Sequence, residues 1–267
     1  MNKSDVREPF KGLARMGYSA RGVIYLVVGA LAILTAIGEG GETTGSKGAI
    51  LEILRQPFGR TLIAIMIVGL VGYVLWRFTQ AIADPDRHGR SAKGLAIRAG
   101  LVASAITHTV LAYWALQLLL SQMGASDGGG SGSGGGEKEA FLATGAGQMV
   151  MGVIGVVLIG VGFAHMYKGW TARFEKYMSF PPNHRGWACP LCQFGLIARG
   201  VVWVIVGWFF IDSARRAYGN DIKGVAEALD TLRTSPYGDW LLGIVAAGLF
   251  AFGLYSLLEA VYRRLGV

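Results

Sequence analysis

Apolar runs free of charge come in pairs along this chain. Residues 22–38, 61–76, 99–126, 140–167 and 240–258 contain no Asp, Glu, Lys or Arg, and 194–214 contains only Arg199 and Asp212. A helix needs roughly 20 residues to cross the hydrocarbon core at about 1.5 Å per residue. The runs therefore predict spans near 17–38, 60–82, 97–121, 145–168, 194–214 and 240–262. They also copy one another residue by residue. The segment Arg15-x-Gly17-x-x-Ala20-Arg21-Gly22-Val23-Ile24-Tyr25-x-x-x-Gly29 returns 178 positions later as Gln193-x-Gly195-x-x-Ala198-Arg199-Gly200-Val201-Val202-Trp203-x-x-x-Gly207. A fainter copy, 83 positions after the first, keeps Arg98, Gly100 and Ala103 but has Ser104 for the arginine and His108 for the aromatic. The partner helices repeat as well. Pro57-Phe58-Gly59 matches Pro236-Tyr237-Gly238, and Gly69, Tyr73, Trp76 and Gln80 match Gly248, Phe252, Tyr255 and Glu259.

Because each repeat holds two spans, all repeats enter the membrane in the same sense. The expected fold is all-α and polytopic: six transmembrane helices as three parallel helical hairpins about a pseudo-threefold axis. The boundaries are an amino-terminal segment at 1–12 and repeats at 13–85, 96–180 and 193–264. Composition agrees, since 52% hydrophobic against 16% charged residues leaves too few charges to cover a soluble globule of 267 residues. The basic amino-terminal stretch followed by an apolar run also fits a secretory signal. The internal copy at 194–214 argues instead for a retained helix.

Charge sets the expected orientation. The amino terminus through Arg21, Arg77, the 82–98 loop, the 168–199 segment and the carboxyl terminus hold 17 of the 25 Lys and Arg residues, which puts both termini in the cytoplasm. The net charge of +8 then reflects topology and attraction to anionic lipid headgroups, the expected partners, and not nucleic-acid binding.

The Ala-Arg-Gly-Val-x-Tyr/Trp-x-x-x-Gly hairpin, the Pro-Phe/Tyr-Gly start of its partner and the three tandem copies resemble the bacterial multi-pass membrane proteins grouped as domain of unknown function 1206. The resemblance runs from about Leu13 to Arg264 and implies an architecture without an established chemistry. The middle repeat departs from it most, with Ser104 for arginine and no Pro-aromatic-Gly before its second span.

Between the spans, 124–136 reads as a flexible glycine-serine linker. Residues 48–56 and 224–234 read as short amphipathic helices at the outer interface. The stretch 168–180 mixes Trp170, Phe174 and Tyr177 with Arg173 and Lys176, the pattern of a helix lying on inner headgroups.

Four polar residues fall at similar depth near the cytoplasmic ends of their spans. Arg21 and Arg199 with Gln80 and Glu259 form an expected intramembrane layer, serving either as a structural clamp or as a ligand or anion site. Asp212 lies roughly 20 Å along the helix from Arg199 and is assigned to Arg215 or Arg216. His108, with Ser104, Thr107 and Gln117, makes the third span the most polar. It either lines a proton or solute path or sits neutral and hydrogen-bonded where the other repeats carry an aromatic. A serine protease is disfavoured because no Gly-x-Ser-x-Gly element is present. Haem ligation by His108 and His165 fails because the two sit at different depths.

Cys189-Pro-Leu-Cys192, with His184 nearby, is a candidate thiol or metal site, although zinc needs four ligands and three are present. The stretch Gly41–Lys47 lacks the spacing of a phosphate loop. No cofactor is expected. Three functions follow: a non-catalytic scaffold or stress-related membrane component; a small channel or carrier lined by His108 and the inner layer; or a cytoplasmic-face redox or metal-binding protein using Cys189 and Cys192.

Overall fold

The computed structural model describes residues 3–86, 88–123, 144–216 and 225–264. Eight α-helices occur among them: α1 (Lys3–Ala36), α2 (Ser46–Arg55), α3 (Gly59–Ala83), α4 (Ala92–Gln122), α5 (Gly145–Trp170), α6 (Pro182–Arg216), α7 (Val225–Arg233) and α8 (Gly238–Tyr262). All except α2 and α7 are long and apolar enough to cross a membrane. The linker 124–136, the Arg216 side chain assigned to Asp212, and the Lys3 and Arg7 side chains lie outside the described residues.

Local chemistry sets the helix ends. Ser91 caps α4 by accepting the Gly94 N–H at 3.2 Å, and Thr144 caps α5 by accepting that of Gly147 at 3.1 Å. Pro57 does not start α3 as the sequence suggests. It occupies the second position of a turn closed by the Gly59 N–H donating to Gln56 O at 2.9 Å, which forces Phe58 to φ 61°. Tyr237 repeats that left-handed conformation before α8. The helix then begins on a glycine because a Cβ at Gly59 or Gly238 would strike the carbonyl of Leu54 or Arg233. The amphipathic α2 and α7 turn Ala49, Ile50, Ile53, Ala228 and Leu229 into the apolar core, closing the face opposite the chain termini.

Glycines decide which spans meet. A Cβ on Gly17 would lie 2.5 Å from the backbone N of Tyr73, and one on Gly195 would lie 2.5 Å from that of Phe252, so α1–α3 and α6–α8 pack as equivalent hairpins. Gly22 approaches the carbonyl of Gly253, and Gly200 that of Gly162, so α1–α8 and α5–α6 are equivalent contacts between repeats. In α3–α4 the small residue is Ala105 in place of glycine. The spans thus follow the order α4, α3, α1, α8, α6, α5, and the row curls until α4, α1 and α6 share one apolar cluster through Ala112, Ala115, Ile24, Val28, Val202 and Val206. The two spans of the middle repeat, α4 and α5, do not pack along one another. A Cβ added at Gly100, the counterpart of Gly17 and Gly195, would meet nothing within 4 Å.

On the face carrying the termini, helix α6 starts at Pro182, ahead of the span expected from 194, so Cys189, Pro190 and Cys192 lie inside a helix. One expectation fails beside it. The stretch after Trp170 is no interfacial helix. It turns, forms one 3-10 turn at Glu175–Tyr177, and tucks Phe174 and Met178 beneath the bundle against Cys192, Leu196 and Tyr255. Backbone bonds from Ser179 N to Tyr262 O and from Arg264 N to Tyr177 O, each 2.9 Å, tie this strap to the end of α8. The apolar side chains gain more by filling that gap than a flat helix would gain at the headgroups. The Arg185 guanidinium, donating to Glu175 at 2.7 Å, holds that carboxyl below its ordinary range and pins the strap to α6.

Candidate functional site

The close approach of α1 to both α3 and α8 delivers Arg21 into a gap between them. Its Nη1 donates to Tyr73 Oη at 2.7 Å and its Nε to Ser256 Oγ at 3.2 Å, while Nη2 pairs with Glu259 Oε2. The other carboxylate oxygen, Glu259 Oε1, accepts from Arg263 at 2.7 Å, and Arg263 also reaches Asp86 at 3.1 Å. Gln80 donates to Asp86 at 2.6 Å and accepts from Arg77 at 3.0 Å. Arg77 shares the Tyr73 hydroxyl with Arg21. Tyr18 and Trp76 seal the far side with a 2.9 Å hydrogen bond between them. One ion network therefore joins the first and last repeats and the α3–α4 loop. Buried ions survive in this setting because both Glu259 oxygens and Asp86 Oδ2 meet a guanidinium.

Arg199 does not enter that network, which corrects the expected symmetry of the layer. Both Glu259 oxygens face Arg21 and Arg263 instead, and Gln80 is engaged by Arg77 and Asp86. The Arg199 guanidinium instead sits among rings, 4.3 Å from the Phe252 centroid, 4.7 Å from Tyr25 and 5.7 Å from Trp203. The residue is 9% exposed, and its Nε and Nη1 are buried with no hydrogen-bond partner. Three aromatic faces temper the charge without satisfying the N–H groups.

The sequence reading also missed Arg77, Lys168 and Arg263. For Lys168 alone a signal lay in the repeat. Gly162 and Gly253 make equivalent contacts, so Lys168 stands where Glu259 stands, six residues further on. Lys168 extends to the Tyr255 hydroxyl at 3.2 Å. The layer thus contains five cations, Arg21, Arg77, Lys168, Arg199 and Arg263, against the two carboxylates Glu259 and Asp86. Fully ionised, it carries a surplus of three positive charges.

None of the remaining candidates is seen to hydrogen-bond to this network. His108 packs 4.6 Å from the Tyr73 ring, and its Nδ1–H donates back to the Ser104 carbonyl at 2.8 Å, which fixes the tautomer. Ser104 is half-buried, and Thr107 points to the exposed side of α4 while donating to that same carbonyl at 3.0 Å. Gln117 donates to Tyr113 Oη at 2.7 Å on its own helix. Cys189 and Cys192 are free thiols, half-buried and buried. His184 shares a 3.0 Å hydrogen bond with the Tyr262 hydroxyl. No cluster of three or more His, Cys, Asp or Glu suited to a metal occurs among the described residues.

Six apolar spans in three tandem repeats, joined by a buried ion network, define a polytopic α-helical membrane protein. The chain belongs to the family described as Domain of Unknown Function (DUF1206), whose profile matches residues 16–84, 99–172 and 194–263. It is 31% identical to a Bacillus subtilis (strain 168) protein described as "Uncharacterized protein YxxB", over 98% of this chain and 94% of that one. No solved structure matches it.

Proposed function

We propose that the protein is a non-catalytic membrane component, a scaffold that holds an anionic group at Arg199. The observation that carries this reading is the pair of buried, unpartnered donors on Arg199 beside a layer with excess positive charge. Buried arginine donors without partners are costly, and a carboxylate or phosphate oxygen satisfies them with charge-assisted bonds. The Arg21–Glu259–Arg263 network supports the scaffold part, because it ties the first repeat to the last without using Arg199. The apolar cluster of Ile24, Val28, Ala112, Ala115, Val202 and Val206 between the layer and the opposite face favours holding an anion over conducting one. By the charge count, the layer lies at the cytoplasmic side.

The test is thermal unfolding of the purified protein and of its Arg15→Gln/Arg264→Gln variant in neutral detergent, with decanoate titrated into a low-anion buffer. At 100 times the dissociation constant a bound anion contributes about 2.7 kcal/mol. The expected result is a dose-dependent rise in Tm that the double variant retains and Arg199→Gln abolishes. Equal responses from wild type and Arg199→Gln, or none from either, would overturn the reading.

A further inference from the structure

On the face carrying the termini, a cleft of about 290 Å³ opens between the first turns of α1, the end of α8 and the strap after α5. Lys11 and Arg15 line it from α1, and Arg263 and Arg264 from the end of α8. Ser179 of the strap adds a hydroxyl, and no acidic side chain is among the lining residues. We propose that this cleft is a binding site for a phosphate group, supplied by the headgroup of an anionic phospholipid in the adjoining leaflet or by a soluble phosphate compound.

Three observations converge on phosphate. The first is the concentration of four cationic side chains around a single concavity, where their fields add and draw in an anion. The second is Arg263, which is 8% exposed yet reaches the cleft wall. Its Nη atoms are spent on Glu259 and Asp86, while its Nε is buried without a partner. The third is that the rim is shaped and not merely charged. Arg264 is fixed by its Nε donating to Ser179 Oγ at 2.6 Å, and the backbone bonds between strap and α8 hold the two walls together.

A planar guanidinium on a fixed wall suits bidentate contact with phosphate oxygens. The level of the cleft fits a headgroup. Lys11 opens the first span and Tyr262 closes the last, and Val261 beside them is exposed to the surroundings of the bundle. A phosphate seated here meets the same guanidinium that grips Glu259. Occupancy is thereby coupled to the ion network that joins the first and last repeats. The site is separate from Arg199, so either reading stands if the other falls.

The experiment uses the full chain, delipidated in neutral detergent. Binding is measured by isothermal titration with dioctanoyl phosphatidylglycerol, dioctanoyl phosphatidylcholine and inorganic phosphate. Arg15→Gln/Arg264→Gln is the test variant, since both side chains are exposed and neither belongs to the ion network. The expected result is saturable binding of phosphatidylglycerol, at least tenfold tighter than phosphatidylcholine, weakened about tenfold in the double variant and unchanged in Arg199→Gln. Phosphate binding as tightly as phosphatidylglycerol, with the same loss in the variant, assigns the site to a soluble phosphate compound. Equal affinity for the zwitterionic lipid, absence of binding by both phosphate-bearing anions, or an unaltered double variant overturns the proposal. If the double variant no longer melts cooperatively, Arg264→Gln alone is read by the same criteria, with about threefold weakening expected.

Discussion

Arg21 and Arg199 occupy equivalent repeat positions, yet their removal should have unlike consequences. Arg21→Gln deletes the Glu259 ion pair and the Tyr73 and Ser256 hydrogen bonds in a buried site. Removing one partner of a buried pair costs about 3–5 kcal/mol. Arg263 still holds Glu259 Oε1, so the low end, about 3 kcal/mol, applies. Arg199→Gln deletes a charge that makes no hydrogen bond through Nε or Nη1. Its loss forfeits cation–π attraction of about 2 kcal/mol for a desolvated site, and it recovers a desolvation cost of several kcal/mol. The net change should lie within about 1 kcal/mol of zero or be stabilising. At about 2–4 °C per kcal/mol for a chain of this size, Arg21→Gln should lower Tm by about 6–12 °C. Arg199→Gln should leave Tm within about 4 °C of the wild type or raise it. Tryptophan fluorescence melts in neutral detergent and low-anion buffer read both. An Arg199→Gln protein that falls as far as Arg21→Gln would refute the claim that only one of the two arginines is paired.

In the same melts, Gly17→Ala and Gly195→Ala should each cost about 1–3 kcal/mol, because their new methyls meet the α3 and α8 backbones. Gly100→Ala should stabilise by about 0.5–1 kcal/mol, since nothing opposes it and alanine favours the helix; a loss there as large as at Gly195 would show that α4 and α5 pack together. Asp84 accepts backbone N–H bonds from His88 at 2.7 Å and Gly89 at 2.8 Å, which hold its carboxyl below the ordinary range. A depressed folded pKa contributes stability above the unfolded value of about 3.9 and loses it as pH falls through the folded value. The gap in Tm between wild type and Asp84→Asn should therefore be present at neutral pH and close below about pH 4; a gap constant with pH would remove the ionised carboxylate from the account.

The six spans and the hairpins of the outer repeats were legible because they rest on local properties, namely charge-free length and glycines recurring at fixed offsets. Arg21 meeting Glu259 was legible for the same reason, since both residues lie at comparable depth on helices the glycines press together. The fate of Arg199 was not. It depends on a competition for two carboxylate oxygens, and one winner, Arg263, follows the span and reads in the sequence as an ordinary topological charge. The strap was hidden by its composition. Trp170, Phe174 and Tyr177 suit a headgroup-level helix, and only the gap beneath Cys192 and Leu196 makes burial of Phe174 the better use of that side chain.

The middle repeat departs from the outer two both in packing and in the charge it brings to the layer. In the outer repeats Ala20 closes on Gly69 and Ala198 on Gly248. The offset that equates Gly162 with Gly253 puts Val157 at the corresponding point of α5, and both Val157 and its would-be partner Ala103 on α4 are exposed. A β-branched side chain holds two helices apart where glycine lets backbones touch. In the contacts equivalent to α1–α8, Ser104 stands across from α3, where the counterpart of Glu259 is Gln80, and Arg199 stands across from α5, where it is Lys168, which turns to Tyr255. Of the three equivalent positions, Gln80, Lys168 and Glu259, a single one is acidic. That one carboxylate, already shared by two arginines, is the reason Arg199 is left with donors to offer.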